Sequence, residues 1–360
     1  MKKKLTALAL SLAMVSTLAA CGGGSSSSSS TPASSAAAEN TAATEEKSVT
    51  LRMASVVSTN ELEGRNTGMS AGLMTWIDTV KEASGGTIDV QLFADGQLAS
   101  GTDAIVNGIQ TGAFEVAHFT TGNWSEYSNA FAELNVPYLY SNYDEVHSIL
   151  EGDIGQAMKD QLEQDVQGIK PLAYISIGFR NVTASKPVQT VADMQGLKIR
   201  TMNDTLQIAA MESLGCAVTS VPINELYSAL QTKMVDAEEN PLSTIYSQKF
   251  YEVNPYCCLT RHSYTSTFVF MNADVYNSLS DNQKAAVDKA NAAATAASKV
   301  AAEEAEATYR DMLTEEGMTI YEPTAEETAE FKEAASSCWG QAKDLMGEDR
   351  YNALMSAMGM

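Results

Sequence analysis

GFRN at residues 178–181 and GLKIRTMN at 196–203 decide how this chain reads. The first closes YISIGF (174–179), a run apolar enough to be a strand, and puts Arg180 at its end. The second ends the short run GLKI with Arg200. A guanidinium at the end of an otherwise apolar strand is costly unless something negative meets it. Its planar fork fits a carboxylate through two parallel hydrogen bonds. The two arginines therefore point to a receptor site for a small carboxylate.

Outward from that segment, strand and helix patterns alternate. VTLRMAS (49–55) has the period of a strand, and Met69, Leu73, Trp76, Ile77 and Val80 recur at helical spacing. TIDVQLF (87–93), PLAYISIG (171–178), CAVTSV (216–221) and TSTFVFMN (265–272) read as further strands, and Asn203 or Asp204 as the start of a helix. Such alternation marks an α/β fold with crossover connections. From about Ser280 to Glu316 runs one long Ala/Glu/Lys-rich helical stretch. A helix of that length spans roughly 50 Å, more than one lobe's width, and is expected to brace two.

The 360 residues allow about two domains. A formal charge of −22 argues against nucleic acid and against an anionic membrane surface as partner. An anion must therefore be drawn by a local field that overcomes the global one. After the N-terminus no apolar run is long enough for a spanning helix. Residues 1–20 have a basic start, an apolar stretch and small residues before Cys21, the architecture of an export signal. LAAC (18–21) resembles the lipobox of bacterial lipoproteins, which implies cleavage before Cys21 and diacylation of its thiol. The Gly/Ser/Ala tract over 21–47 reads as a flexible tether to a folded body starting near Ser48. Two acyl chains give stable attachment, so the expected location is the outer face of the cytoplasmic membrane. Cys216, Cys257, Cys258 and Cys338 lack CxxC spacing and read as small buried hydrophobes. With His118, His147 and His262 widely separated, neither a metal nor a cofactor is expected.

GFRN, DMQGLKIR (193–200), ELYSALQT (225–232), VDAEENP (235–241), KFYEV (249–253) and TRH (260–262) together resemble, in order and spacing, the solute-binding proteins of tripartite ATP-independent periplasmic (TRAP) transporters. The resemblance implies a two-lobe periplasmic-binding-protein fold with crossing strands, a cleft between lobes and a lobe-spanning helix. Lobe I would comprise 48–177 and about 266–305, lobe II 178–265 and about 306–360. Arg200 would be the principal carboxylate clamp, Arg180 a second cationic contact and Asn240 a polar contact to the same end of the ligand. Asn203 falls where the sialic-acid-binding branch has a polar contact. The implied partners are a small organic anion (a dicarboxylate, a sugar acid or a sialic-acid-like carboxylate) and an ion-coupled membrane permease, served by a monomer without enzymatic activity. Ala54, Thr120, Asn123 and Ile223 depart from that branch, so the half that reads the ligand's other end differs.

Each site residue has a plainer reading. Arg180 pairs with an internal acid, Asn240 before Pro241 is turn chemistry, and Asn203 is a helix cap. Three other functions compete: a binding protein of an ATP-driven importer, a ligand sensor for a signalling receptor, and a secreted hydrolase using Ser70 of GMSAG (68–72). The last is disfavoured, because a GxSxG nucleophile follows a strand whereas Ser70 lies inside a helical pattern.

Overall fold

The computed structural model describes residues 46–64 and 66–360. The expected export signal, Cys21 and all but the end of the expected linker lie outside the described residues. Among the described residues eleven strands form: β1 (Val49–Ser55), β2 (Ile88–Phe93), β3 (Val116–Thr120), β4 (Ile169–Phe179), β5 (Asn181–Ala184), β6 (Lys198–Thr201), β7 (Ala217–Ser220), β8 (Ala237–Asn240), β9 (Tyr256–Cys258), β10 (Tyr264–Asn272) and β11 (Thr319–Tyr321). They build two sheets, β2-β1-β3-β10-β4 and β11-β9-β5-β8-β6-β7, and each sheet with its helices makes one lobe. In the first, β1 runs parallel to β2 and β3, while β10 is antiparallel to β3 and β4. In the second, β6 is parallel to both β7 and β8, and β5 is antiparallel to β8 and β9.

The chain passes between the sheets at one residue. β4 ends at Phe179 and β5 begins at Asn181, leaving Arg180 alone between them. The return path runs from β9 to β10, and the two crossings touch: Phe179 pairs with Tyr264, and the Arg180 amide donates to the Ser263 carbonyl at 2.8 Å. Gly178 has φ 145°, a conformation side-chain-bearing residues rarely adopt, and an added Cβ would stand 3.0 Å from the Tyr143 hydroxyl.

The long helix is continuous from Asp281 to Glu315. Ser280 caps it by accepting from the Gln283 amide, and the Gln283 side chain returns the bond to the Ser280 amide. Val287, Ala290 and Ala294 pack with Leu73 and Trp76 beneath the first sheet, whereas Ala305, Tyr309 and Leu313 pack with Leu226 and Phe250 beside the second. One element thus contributes to both cores, as its length predicts.

GMSAG lies at the start of the helix Gly68–Ala83. A Cβ at Gly68 would stand 2.2 Å from the Ser176 carbonyl oxygen of β4, and one at Gly72 would stand 2.8 Å from Ser298 Cβ of the long helix. Ser70 is buried and shares a capping box with Thr67. The two glycines serve close packing. Near the C-terminus, Phe331 and Ala335 pack with Met194 and Met211 of the second lobe, but Ala342, Met346 and Leu354 join Phe131, Leu134 and Phe268 of the first. Cys216, Cys257, Cys258 and Cys338 are buried and unpaired.

Candidate ligand-binding site

A cavity of about 510 Å³ lies between the two sheets, a volume suited to a small molecule. The first lobe contributes the start of the helix Thr102–Thr111 and the end of β3; the second contributes the ends of β6, β7 and β8. Thr265 and Thr267 of β10 line it as well. Arg200, Arg180, Asn240 and Asn203 all face this one space. The fold therefore brings together four residues separated by up to sixty positions in sequence.

Arg200 stands in β6 opposite Glu238 of β8 and Thr219 of β7. Its Nε donates to the Val221 carbonyl at 2.7 Å, which fixes the plane of the guanidinium. Among the described residues neither terminal nitrogen has a hydrogen-bond partner, although the residue is only 3% exposed. Burial pushes its pKa down to about 10, against the pull of Glu239 and with the repulsion of Arg180. At neutral pH it remains a cation, desolvated and unanswered.

Arg180 differs. Its Nε and Nη2 grip the Glu239 carboxylate, the Nη2–Oε1 distance being 2.9 Å, and Nη2 also reaches the Glu239 carbonyl and Asn240 Oδ1. Nη1 donates to the Thr265 hydroxyl at 2.8 Å. Burial opposes ionisation of Glu239, but Arg180 and the neighbouring His262 outweigh it and hold its carboxyl down to about 2. The internal acid foreseen as the plainer partner is thus Glu239, yet Arg180 stays on the cavity wall. It ties the crossing point to both sheets, through β8 on one side and β10 on the other.

Asn240 ends β8, where its Oδ1 accepts from Arg180 at 3.2 Å and its Nδ2 donates to Glu238 at 2.6 Å. Burial raises the Glu238 pKa to about 7, moderated by Thr183 and Asn240, which both donate to it. Asn203 links the lobes: its Nδ2 donates to Glu126, and its carbonyl accepts from the Ser125 hydroxyl at 2.8 Å. The helix Thr205–Ser213 is capped by Asp204 instead, which accepts from the Gln207 amide at 2.9 Å.

Sequence reasoning passed over the two glutamates of VDAEENP. Two acids inside a strand-length segment, in a chain with two strand-borne arginines, were the signal that would have found them. It also missed Glu61 and His118 on the wall. Burial lowers the His118 pKa to about 3, leaving a neutral ring between the Ser55 and Thr267 hydroxyls. Thr120, Asn123 and Ile223 line the cavity, whereas Ala54 belongs to the core. Trp124 is a core residue against Phe119 and Phe270.

A profile described as bacterial extracellular solute-binding protein, family 7, matches residues 59–344. The chain belongs to this family. The family 7 chain is 34% identical over 229 residues to the 2,3-diketo-L-gulonate-binding periplasmic protein YiaO of Escherichia coli (strain K12), covering 63% of this chain and 69% of that one. It is 28% identical over 301 residues to the sialic acid-binding periplasmic protein SiaP of Vibrio cholerae, covering 84% and 90%. Among solved structures it resembles the sugar acid binding protein DctPAm from Advenella mimigardefordensis in complex with galactonate, with a TM-score of 0.80, 26% identity, and coverage of 88% and 99%. Family 7 membership makes this an extracytoplasmic solute-binding protein of the TRAP class, whose role is delivery to a membrane permease. It sets aside the ATP-driven importer.

Proposed function

We propose that this protein captures a small organic anion by clamping its carboxylate on Arg200, then presents the closed form to an ion-coupled TRAP permease. The observation that carries this reading is a buried guanidinium on the cavity wall whose terminal nitrogens have no hydrogen-bond partner among the described residues. A ligand carboxylate satisfies both at once. Arg180 adds the one Nη1 hydrogen that Thr265 leaves, and Asn240 its second Nδ2 hydrogen, to the same end of the ligand. Asn203 reads another part by exchanging its Glu126 contact. The named relatives bind 2,3-diketo-L-gulonate, sialic acid and galactonate, all organic acids, and the same chemistry fits this cavity. Closure follows from contacts that the ligand makes only with both lobes together. The mature protein works as a monomer tethered through a diacylated Cys21 and the linker 21–47, holding the cavity outside the cytoplasmic membrane.

Isothermal titration with dicarboxylates, uronates, aldonates and sialic acid identifies the ligand. Arg200→Ala then weakens it by about 100-fold or more, the usual result of removing one partner of a buried charged pair. An Arg200→Ala protein that keeps the parent's affinity overturns the clamp.

A further inference from the structure

The cavity wall carries two guanidiniums but, among the described residues, only one lacks an internal carboxylate. It also carries three acids, Glu61, Asp103 and Glu126. Asp103 and Glu126 are exposed and accept from the Tyr127 hydroxyl and from Asn203. Glu61 is different, being 5% exposed. It comes from the helix Thr59–Gly64 and accepts from the Thr67 hydroxyl at 3.0 Å and, across the lobes, from the Ser247 hydroxyl at 3.3 Å. Among the described residues no cation pairs with any of the three acids. Burial raises the Glu61 pKa to about 7, restrained only by those two hydroxyls.

We propose that Glu61 is a specificity-determining residue that accepts a hydrogen bond from a hydroxyl of the bound acid and turns away ligands with a second carboxylate. The proposal rests on Arg200 as the clamp for the first. A carboxyl group has about four acceptor positions, and the two neighbours use two. A ligand hydroxyl fills another without adding charge. A second carboxylate would lose its water with no unpaired cation among the described residues to meet it and would lie in an acidic environment, the kind of mismatch that selects against a wrong partner. The favoured class is therefore a hydroxylated monocarboxylate.

Galactonate and galactarate differ only in whether the far carbon is a hydroxymethyl group or a carboxylate. Titrated at pH 8, where Glu61 carries its charge, the parent is expected to bind galactonate at least 100-fold more tightly. Glu61→Gln keeps the size of the side chain and both hydroxyl partners, and thermal melting checks its fold. It is expected to cut the preference at least tenfold, by weakening galactonate and strengthening galactarate. Arg200→Ala weakens whatever binds without restoring galactarate. Galactarate binding as tight as galactonate in the parent, binding of neither, or a ratio unmoved in Glu61→Gln overturns the assignment. If instead Arg200→Ala leaves galactonate binding intact while the ratio still responds to Glu61, the clamp fails and Glu61 stands.

Discussion

A buried guanidinium stabilises or destabilises a fold according to what its fork meets. Arg180 meets Glu239, and removing one member of such a buried pair leaves the other uncompensated. Arg180→Met should therefore lower unfolding free energy by about 3–5 kcal/mol, readable by denaturant titration. Arg200, beyond its Nε bond to the Val221 carbonyl, meets only the cavity. Burial depresses its pKa from 12.5 to about 10, which at roughly 1.4 kcal/mol per unit costs on the order of 3 kcal/mol. Arg200→Met should consequently melt at a higher temperature than the parent without ligand, yet show no ligand-induced rise in melting temperature. If both substitutions shift the ligand-free protein in the same direction, the division of labour is wrong. The sequence showed that two arginines end apolar strands, because that pattern is local. Which one is satisfied depends on Glu239 and Thr265, 59 and 85 residues further along, and no local pattern reports that.

Helices and strands were legible where period and caps agree. The Ala/Glu/Lys-rich stretch read as a helix from about Ser280 to Glu316 runs from Asp281 to Glu315, its start fixed by the Ser280/Gln283 capping box. An apolar run predicts a strand without saying that β4 and β5 pair in different sheets on either side of one residue. The last helices are likewise recognisable as helices, but the core on which each docks is a tertiary choice. GMSAG shows how a pattern can carry packing in place of chemistry. Gly68→Ala forces a methyl group toward the Ser176 carbonyl, where a rigid strand must shift, and should cost about 1–3 kcal/mol. An unchanged melting curve for Gly68→Ala would show that the helix–strand contact is slack.

At the scale of the molecule, an anion approaches a protein whose full sequence carries a formal charge of −22 to reach a buried cation. Salt screens the long-range repulsion more than the contact inside the cavity. Association measured by stopped flow should accelerate severalfold between about 10 and 200 mM monovalent salt, the reverse of an electrostatically steered encounter. Slowing over that range would mean that local fields at the cavity mouth dominate. The placement of β10 has a further consequence for how such a protein is made. This strand, formed by Tyr264–Asn272, lies fourth of five in the first sheet, between β3 and β4. A polypeptide secreted from its N-terminus therefore emerges with the link between β3 and β4 missing, and β4 lacks its neighbour until three quarters of the chain has crossed. Premature collapse during translocation is thereby discouraged, while the bare edges of β3 and β4 stand open to extracytoplasmic chaperones until the last partner arrives.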